Sequence, residues 1–224
     1  MIAVNTIGAE DISIFFCENF ENTDNWKTME FPRVKKHTVY SVLRQGDESY
    51  LKAESNASSS AIVFSKSFNV FDYPKVKWRW KISNVYLKGN SSEKTGDDYP
   101  ARIFVMFKYD PDKASFLGRV RHGLGKTIFG VEPPYSSLNY IWASTKSDMN
   151  IITNPYSPDT KMIVLQAGSE NTGKWMQEDV DIIRDYRRAF GEDPPATASI
   201  AIMNDSDDTG EHAVSFIDYI EVYR

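Results

Sequence analysis

The run MNDSDDTGEHA places four acids close together: Asp205, Asp207, Asp208 and Glu211. Its DSDDTG part fits D-x-D-x-T-G, the first half of a calcium loop, in which alternating oxygens converge on the ion and glycine makes the turn. The second half is missing, because the twelfth position from Asp205, where an EF-hand has Glu, is Phe216. A solvated turn between strands uses the same residue types. Two hypotheses stay open: structural calcium at Asp205, Asp207 and Asp208, or a turn without metal.

A second group that could do chemistry lies in TGDDYPARIFVMFKY. Arg102 enters a predicted strand whose two faces are both largely apolar, so its guanidinium needs a carboxylate partner. Asp97 and Asp98 are the nearest candidates in the sequence. The group is either a buried ion pair or an arginine–aspartate pair that faces a ligand.

Aromatic and amide side chains are mixed in the region that follows. The aromatics Tyr135, Tyr140, Trp142, Tyr156 and Trp175 are mixed there with Asn139 and Asn154. Aromatic rings stack on the apolar face of a pyranose, while amides and carboxylates bind its hydroxyls. The alternative is that these aromatics fill the core of a large sandwich, as aromatics commonly do.

Known catalytic patterns are incomplete in this sequence. Retaining glucanases with a legume-lectin-like sandwich use E-x-D-x-x-E, and DVDIIR matches with Asp179 and Asp181 but has Arg184 in place of the general acid. The Q-x-H and Y-K-x-G-x-Y runs of jelly-roll lyases do not occur. The basic run RVRHGLGKT fails the Walker spacing and is either a solvated insertion or an anion site. We assign no catalytic residue.

The candidate site residues must be positioned by β-strands, because the sequence consists mainly of short β-branched and aromatic runs separated by turn residues. The predicted strands are ISIFF, TVYSVLR, SYLKAES, AIVFSKSFNV, KVKWRWKI, ARIFVMFKY, LNYIWAS, MIVLQAG, KWMQEDVDI, ATASIAIMN and AVSFIDYIEVY. So many strands favour two packed sheets over one flat sheet. The helical spacing in IRDYRRAFG predicts one short helix near residues 183–190, which Gly191 would end.

Strand alternation assigns side chains to faces. In KVKWRWKI, Trp78 and Trp80 lie on an apolar face, which favours the core over a sugar-stacking platform. Asp218 is predicted to point inward from the last strand, where a cation must pair with it, and Arg79 or Arg102 is favoured over a metal. Cys17 is predicted to end a buried strand.

Composition and charge exclude several classes of protein. The 224 residues are 41% hydrophobic and 25% charged, which favours one globular β domain over residues 1–224. A net charge of −5 argues against a nucleic-acid partner. The sequence contains no predicted transmembrane segment, and its opening residues show no basic leader or cleavage site. The single cysteine excludes an internal disulfide.

Six motifs occur together in one order: WRWKI, GDDYPARIFVMF, LNYIWAS, NPY, DYRRAFG and IAIMNDSDDTG. This set resembles a bacterial domain-of-unknown-function family, number 3047, from about Phe20 to the C-terminus. The resemblance implies a β-sandwich similar to jelly-roll carbohydrate-binding modules, often exported and without an established activity. It assigns no functional residue.

We therefore predict an all-β, two-sheet jelly-roll sandwich, concanavalin-like or galactose-binding-like, which binds a glycan or other small-molecule ligand without cleaving it. The predicted ligand-binding residues are Asp97, Asp98, Arg102, Tyr140, Trp142, Asn154, Tyr156 and Trp175. Structural calcium is the one cofactor considered, and a periplasmic or extracellular location is expected. Two alternatives remain: a lyase or glycoside hydrolase with a cleft around Asp97, Asp98 and Arg102, or a structural or protein-interaction module.

Overall fold

Two β-sheets dominate this computed structural model, which describes residues 13–31, 33–109, 134–146 and 150–224. Sheet A contains β1 (Ile14–Glu18), β3 (Val39–Gln45), β4 (Glu48–Asn56), β7 (Lys75–Ile82), β12 (Met176–Asp181) and β14 (His212–Tyr223). Sheet B contains β2 (Trp26–Met29), β5 (Ala61–Phe64), β6 (Phe68–Asn69), β8 (Arg102–Phe107), β9 (Ser136–Ala143), β10 (Ile151–Thr153), β11 (Thr160–Ala167) and β13 (Thr197–Met203). The basic run RVRHGLGKT lies outside the described residues.

The strand order in sheet A is β12-β7-β14-β4-β3, with β1 also paired to β14. In sheet B the order is β10-β11-β9-β8-β13-β5-β2, with β6 also paired to β13. Among the described strands, β9 and β11 pair in parallel and the other pairs are antiparallel. The predicted two-sheet jelly-roll β-sandwich is confirmed.

The tryptophans of β7 join the two sheets. Residues alternate along this strand between the core and the outer face, and both Trp78 and Trp80 are fully buried. The Trp78 ring lies 5.5 Å from that of Tyr140 on β9, and the Trp80 ring lies 5.9 Å from that of Trp142. These rings fill the space between the sheets, so the core interpretation is confirmed and the sugar-stacking platform at Trp78 and Trp80 is wrong.

The predicted helix is also present, as α1 (Ile182–Phe190). The Asp181 side chain caps its start by accepting the Arg184 N–H, and Gly191 ends it with a φ of 77°, where a side chain would be strained. The residues before it form β12, as their alternation predicts. No helix in the described ranges is long and apolar enough to cross a membrane.

A β-bulge in β14 explains the face on which Asp218 lies. The pairing of β14 with β7 shifts register between Ile217 and Tyr219, so Phe216 and Asp218 share the outer face while Ile220, beyond the bulge, points to the core. Asp218 turns to the outer face, where its Oδ2 lies 2.7 Å from Arg79 Nε. The predicted arginine partner is confirmed, but the predicted inward orientation is wrong.

Another irregularity explains the position of Cys17. The pairing of β1 with β14 shifts between Ile14 and Phe16, and both Phe15 and Phe16 pack against the core. Cys17 then lies on the outside of the strand and is exposed. The prediction that Cys17 is buried is wrong, because the bulge reverses the order of inner and outer residues.

Candidate functional site

A buried ion pair lies where β8 begins and β13 ends. These strands are antiparallel neighbours, with Arg102 opposite Met203, so Asp205 comes to the same edge two residues later. Arg102 Nε donates to Asp205 Oδ1 at 2.8 Å, and Nη2 donates to Oδ2. Both side chains are about 4% exposed. A two-point pair of this kind fixes the orientation of both groups.

The turn before β8 adds two further buried acids. A short 3-10 helix, Lys94–Gly96, leads directly into Asp97 and Asp98. Gly96 is required there, because a Cβ at this position would lie 2.6 Å from the backbone nitrogen of Asn90. Asp97 accepts a hydrogen bond through its backbone carbonyl from Arg102 Nη2. The turn thereby places both acids against the ion pair.

The loop after β13 is held by polar contacts. Asn204 Oδ1 accepts the Tyr86 hydroxyl at 2.8 Å, and its amide donates to the carbonyl of Ala53. The Thr209 N–H donates to Asp98 Oδ2 at 2.6 Å. The loop after β13 is therefore fixed by hydrogen bonds and contacts the turn that carries Asp98.

An exposed rim surrounds these buried groups. The Tyr156 hydroxyl lies 2.9 Å from both carboxylate oxygens of Asp208, and Lys94 Nζ lies 5.1 Å from the centre of its ring. Asn154 holds this turn: its side-chain oxygen accepts the Tyr156 N–H, and its amide donates to Asp97 Oδ2 at 2.7 Å. The rim is thus tied to the buried acids.

We call this assembly the acidic end. It consists of Asp97, Asp98, Arg102, Asn154, Tyr156, Asp205, Asp207 and Asp208. Residues predicted separately as ligand-binding and as metal-binding therefore belong to one site, since hydrogen bonds, ion pairs and close carboxylates connect them.

Burial dominates the electrostatics of the acidic end. It raises the pKa of Asp205 well above its ordinary value, although the Arg102 guanidinium acts in the opposite direction. Burial likewise raises the pKa of Asp97, against the effect of Arg102. At the rim, partial burial raises the pKa of Asp208 to about 6, while its hydrogen bond from Tyr156 opposes the shift. One guanidinium is insufficient to offset this many carboxylates.

Two kinds of binding chemistry are available at this end. Asp98, Asp205 and Asp207 each provide a carboxylate oxygen, and these three oxygens lie within 4.8 Å of one another. Carboxylate oxygens are ligands of hard divalent cations. At the rim, exposed carboxylates can accept hydrogen bonds from ligand hydroxyls beside an aromatic ring.

Two of the predicted ligand-binding aromatics lie elsewhere, in the core. Tyr140 and Trp142 are fully buried, because β9 is covered by β7 on its inner face and flanked by β8 and β11. The Tyr140 hydroxyl donates to Asp185 at 3.2 Å, and the Trp142 indole N–H donates to the carbonyl of Gly168. Neither side chain is available to a surface ligand, so this prediction is corrected.

Trp175 lies on the outer face of sheet A, away from the contacts of the acidic end. Its ring meets Tyr50 edge-on at 5.6 Å, with Lys81 Nζ 4.6 Å and the Arg79 guanidinium 5.0 Å from its centre. Trp175, predicted to bind ligand together with Asn154 and Tyr156, contacts neither of them among these interactions. Strand alternation could not show this, because all three residues lie outside the strands.

Sequence reasoning did not predict the contacts that Tyr99 and Thr209 make with the acidic end. The Tyr99 ring lies 4.3 Å from the Arg102 guanidinium, and its backbone N–H donates to Asp205 Oδ1 at 3.2 Å. Thr209 closes over Asp98 as described. Tyr99 stands in the DDYPAR run, where an aromatic three residues before a buried arginine was an available signal.

Three solved structures align with nearly the whole chain at low identity. Endoglucanase 3 of Trichoderma harzianum, from family GH12, is 8% identical, with 97% of this chain and 100% of that chain covered and a TM-score of 0.45. A Lotus tetragonolobus seed lectin isoform is 10% identical, with 92% and 96% covered and a TM-score of 0.41. The winged bean acidic lectin is 9% identical, with 93% and 98% covered and a TM-score of 0.41. Likeness this distant carries no argument about function.

Family membership is better supported. No curated protein matches the chain. The sequence model of the family described as "Protein of unknown function (DUF3047)" matches residues 24–221, which include the acidic end and all six motifs. The chain therefore belongs to the DUF3047 family.

Proposed function

We propose that this protein binds a glycan without cleaving it, at the exposed rim of the acidic end. The observation that carries the proposal is the ring of Tyr156, 55% exposed, beside the exposed carboxylate of Asp208. An exposed aromatic ring can pack on the apolar face of a pyranose, and neighbouring carboxylates can accept its hydroxyls. The rim offers both contacts side by side.

The other residues of this end position the rim. Asn154 uses its side-chain oxygen on the Tyr156 and Ser157 N–H groups and its amide on Asp97. Asp97 and Arg102 are buried and engaged with one another. We therefore assign the ligand contacts to Tyr156 and Asp208, and a positioning role to Asn154, Asp97 and Arg102.

A glycan array probed with the full chain, followed by calorimetry on the oligosaccharides it retains, tests this proposal. Tyr156→Ala is expected to weaken binding at least about tenfold, equivalent to about 1.4 kcal/mol, because the stacking ring is lost. Tyr156→Phe keeps the ring and is expected to lose less. The matched control is Trp175→Ala, which removes a partly exposed aromatic from the outer face of sheet A.

Two results would contradict the proposal. Failure of neutral and acidic glycans alike to bind would remove glycan recognition. Loss of binding in Trp175→Ala, with Tyr156→Ala unaffected, would move the site to sheet A, where Lys81 and Arg79 surround the Trp175 ring.

A second candidate function is polysaccharide hydrolysis at the same rim. It is favoured by the Asp208 carboxyl, whose pKa burial raises to about 6, so that a protonated fraction exists near neutral pH beside Asp207. A general acid paired with a second carboxylate is the usual arrangement for glycoside hydrolysis. Reducing-sugar assays on a bound glycan test it. If the protein cleaves the glycan and Asp208→Asn abolishes this cleavage, the protein is a hydrolase. If the glycan stays intact after long incubation, binding without cleavage is supported.

A further inference from the structure

We propose that the acidic end binds a calcium ion through Asp98, Asp205 and Asp207. One carboxylate oxygen of each lies within 4.8 Å of the other two. Two oxygens on opposite sides of Ca²⁺ stand about 4.6–5.2 Å apart, because each bond is about 2.3–2.6 Å long. The three oxygens therefore fit within one calcium coordination sphere. This inference goes beyond glycan binding and does not rest on it.

The buried carboxyl groups of this end favour the binding of a further cation. Asp97, Asp98 and Asp205 are all at most 4% exposed. Among the described residues, Arg102 is the cationic side chain paired with this group, and it directs Nε and Nη2 to Asp205. Arg102 thus supplies one positive charge against three buried carboxylates. Burying a carboxylate without a counter-charge is costly, and a divalent ion supplies two charges at one point.

Asp98 has an oxygen that indicates where this ion binds. Its Oδ2 accepts the Thr209 N–H, whereas its Oδ1 is buried and accepts no hydrogen bond from the described residues. Buried carboxylate oxygens in folded proteins nearly always have a partner. This oxygen belongs to a side chain that is 1% exposed and whose carboxylate faces those of Asp205 and Asp207. Coordination of a cation satisfies it.

The proposed ligands differ from those suggested by D-x-D-x-T-G. The Asp208 carboxylate is directed to the Tyr156 hydroxyl, and Asp98, more than a hundred residues earlier in the chain, takes its place. Asp207 is exposed, so the ion is accessible to water molecules that complete its coordination. An all-carboxylate set selects a hard cation over zinc or copper.

Calcium titration of the full chain after EDTA treatment and dialysis tests the site. Calorimetry is expected to show a saturable heat at one ion per chain. The Tm is expected to rise by at least about 5 °C at a free calcium concentration of about 100 Kd, because the ion binds the folded state alone. Magnesium is expected to produce a smaller rise, since it requires a tighter octahedral site.

Three variants identify the ligands. Asp98→Asn still offers an oxygen to the Thr209 N–H and is expected to keep or raise the Tm in EDTA while losing most of the calcium-dependent rise. Asp207→Asn alters an exposed side chain and is expected to weaken calcium binding at least about tenfold. Asp208→Asn removes a neighbouring carboxylate that is directed to Tyr156, and it is expected to lose less of the calcium response than Asp207→Asn.

The proposal is overturned if wild-type protein shows neither heat nor a change in Tm with calcium, which would assign water to Asp98 Oδ1. It is also overturned if Asp98→Asn and Asp207→Asn respond like wild type. Should Asp98→Asn fail to fold, Asp207→Asn decides. Glycan binding measured in EDTA separates the two proposals. If the protein binds glycan but does not respond to calcium, the calcium site is rejected and the glycan proposal is not.

Discussion

Arg102 and Asp205 form a buried two-point ion pair although 103 residues separate them in the chain. Pairing of β8 with β13 brings them to one edge, so the contact depends on the sheet and on no local motif. Arg102 also donates to the carbonyl of Asp97. The guanidinium therefore joins the end of β13 to the turn that carries Asp97 and Asp98.

Removal of this guanidinium is expected to be strongly destabilising. Arg102→Met leaves three buried carboxylates without their cation, and we expect a loss of about 3–5 kcal/mol in the free energy of unfolding, measured with urea. The control is Arg187→Ala, which breaks the exposed pair with Asp193 and is expected to cost less than about 1 kcal/mol. Similar losses in both variants would show that the buried pair contributes no more than a surface one.

Truncation of the core aromatics is expected to separate their role from that of surface rings. Trp142→Ala removes a fully buried side chain that touches Trp80 across the sheets, and a loss of about 3–5 kcal/mol is expected. Trp175→Ala is expected to cost less than half as much, because that ring is partly exposed. Urea unfolding of both variants measures this difference. A stable Trp142→Ala protein would contradict the assignment of Trp142 to the core.

Some of these features were predictable from sequence and others were not, for identifiable reasons. Regular alternation along β7 was sufficient to predict that Trp78 and Trp80 are buried. Alternation failed for Asp218, because a bulge puts the residues before and after it on opposite faces. The expectation that Cys17 ends a buried strand failed because of the irregularity in β1. Asp97 and Asp98 were predicted as partners of Arg102 because they are near in sequence. Asp205, its two-point partner, could be identified only from the order of strands in sheet B.

The pH dependence of stability is expected to include a contribution from Glu178. Burial raises the pKa of its carboxyl above the ordinary 4.5, although Gln166 and Trp80 donate hydrogen bonds to it. The native state therefore binds this proton more tightly than the unfolded state. The resulting stabilisation is complete below pH 4.5 and is lost as pH rises through the higher native pKa. Glu178→Gln keeps the acceptor oxygen but cannot ionise. We therefore expect it to become more stable relative to wild type as pH rises through the native pKa of Glu178.

Glu170 provides a control of opposite sign for this measurement. Its hydrogen bond from Lys146, at 2.9 Å, lowers the pKa of its carboxyl below 4.5. Its contribution is present above pH 4.5 and is lost as pH falls through the lower native pKa. Urea unfolding of wild type, Glu178→Gln and Glu170→Gln from pH 3 to 7 measures both contributions. A stability difference between Glu178→Gln and wild type that is constant with pH would contradict the raised Glu178 pKa.

The turn before Asp97 is expected to be intolerant of a side chain. In Gly96→Ala the new Cβ would meet the backbone of Asn90 at 2.6 Å and of Lys88 at 2.9 Å, so the turn must shift. We expect a loss of about 1–3 kcal/mol in urea unfolding. Glu93→Ala, an exposed change in the same turn, is expected to remain within about 0.5 kcal/mol of wild type. A neutral Gly96→Ala would show that the turn can move without penalty.

The 103-residue separation of Arg102 from Asp205 has a consequence for the order of folding. Because closing a long stretch of chain costs entropy before its contacts form, we expect local hairpins to assemble first and this end of the sandwich to assemble late. A ligand of this end would therefore bind the native state and not the partly folded chain, in which the site has not yet formed. Its occupancy should therefore slow unfolding while leaving refolding rates nearly unchanged, a difference that stopped-flow kinetics can measure.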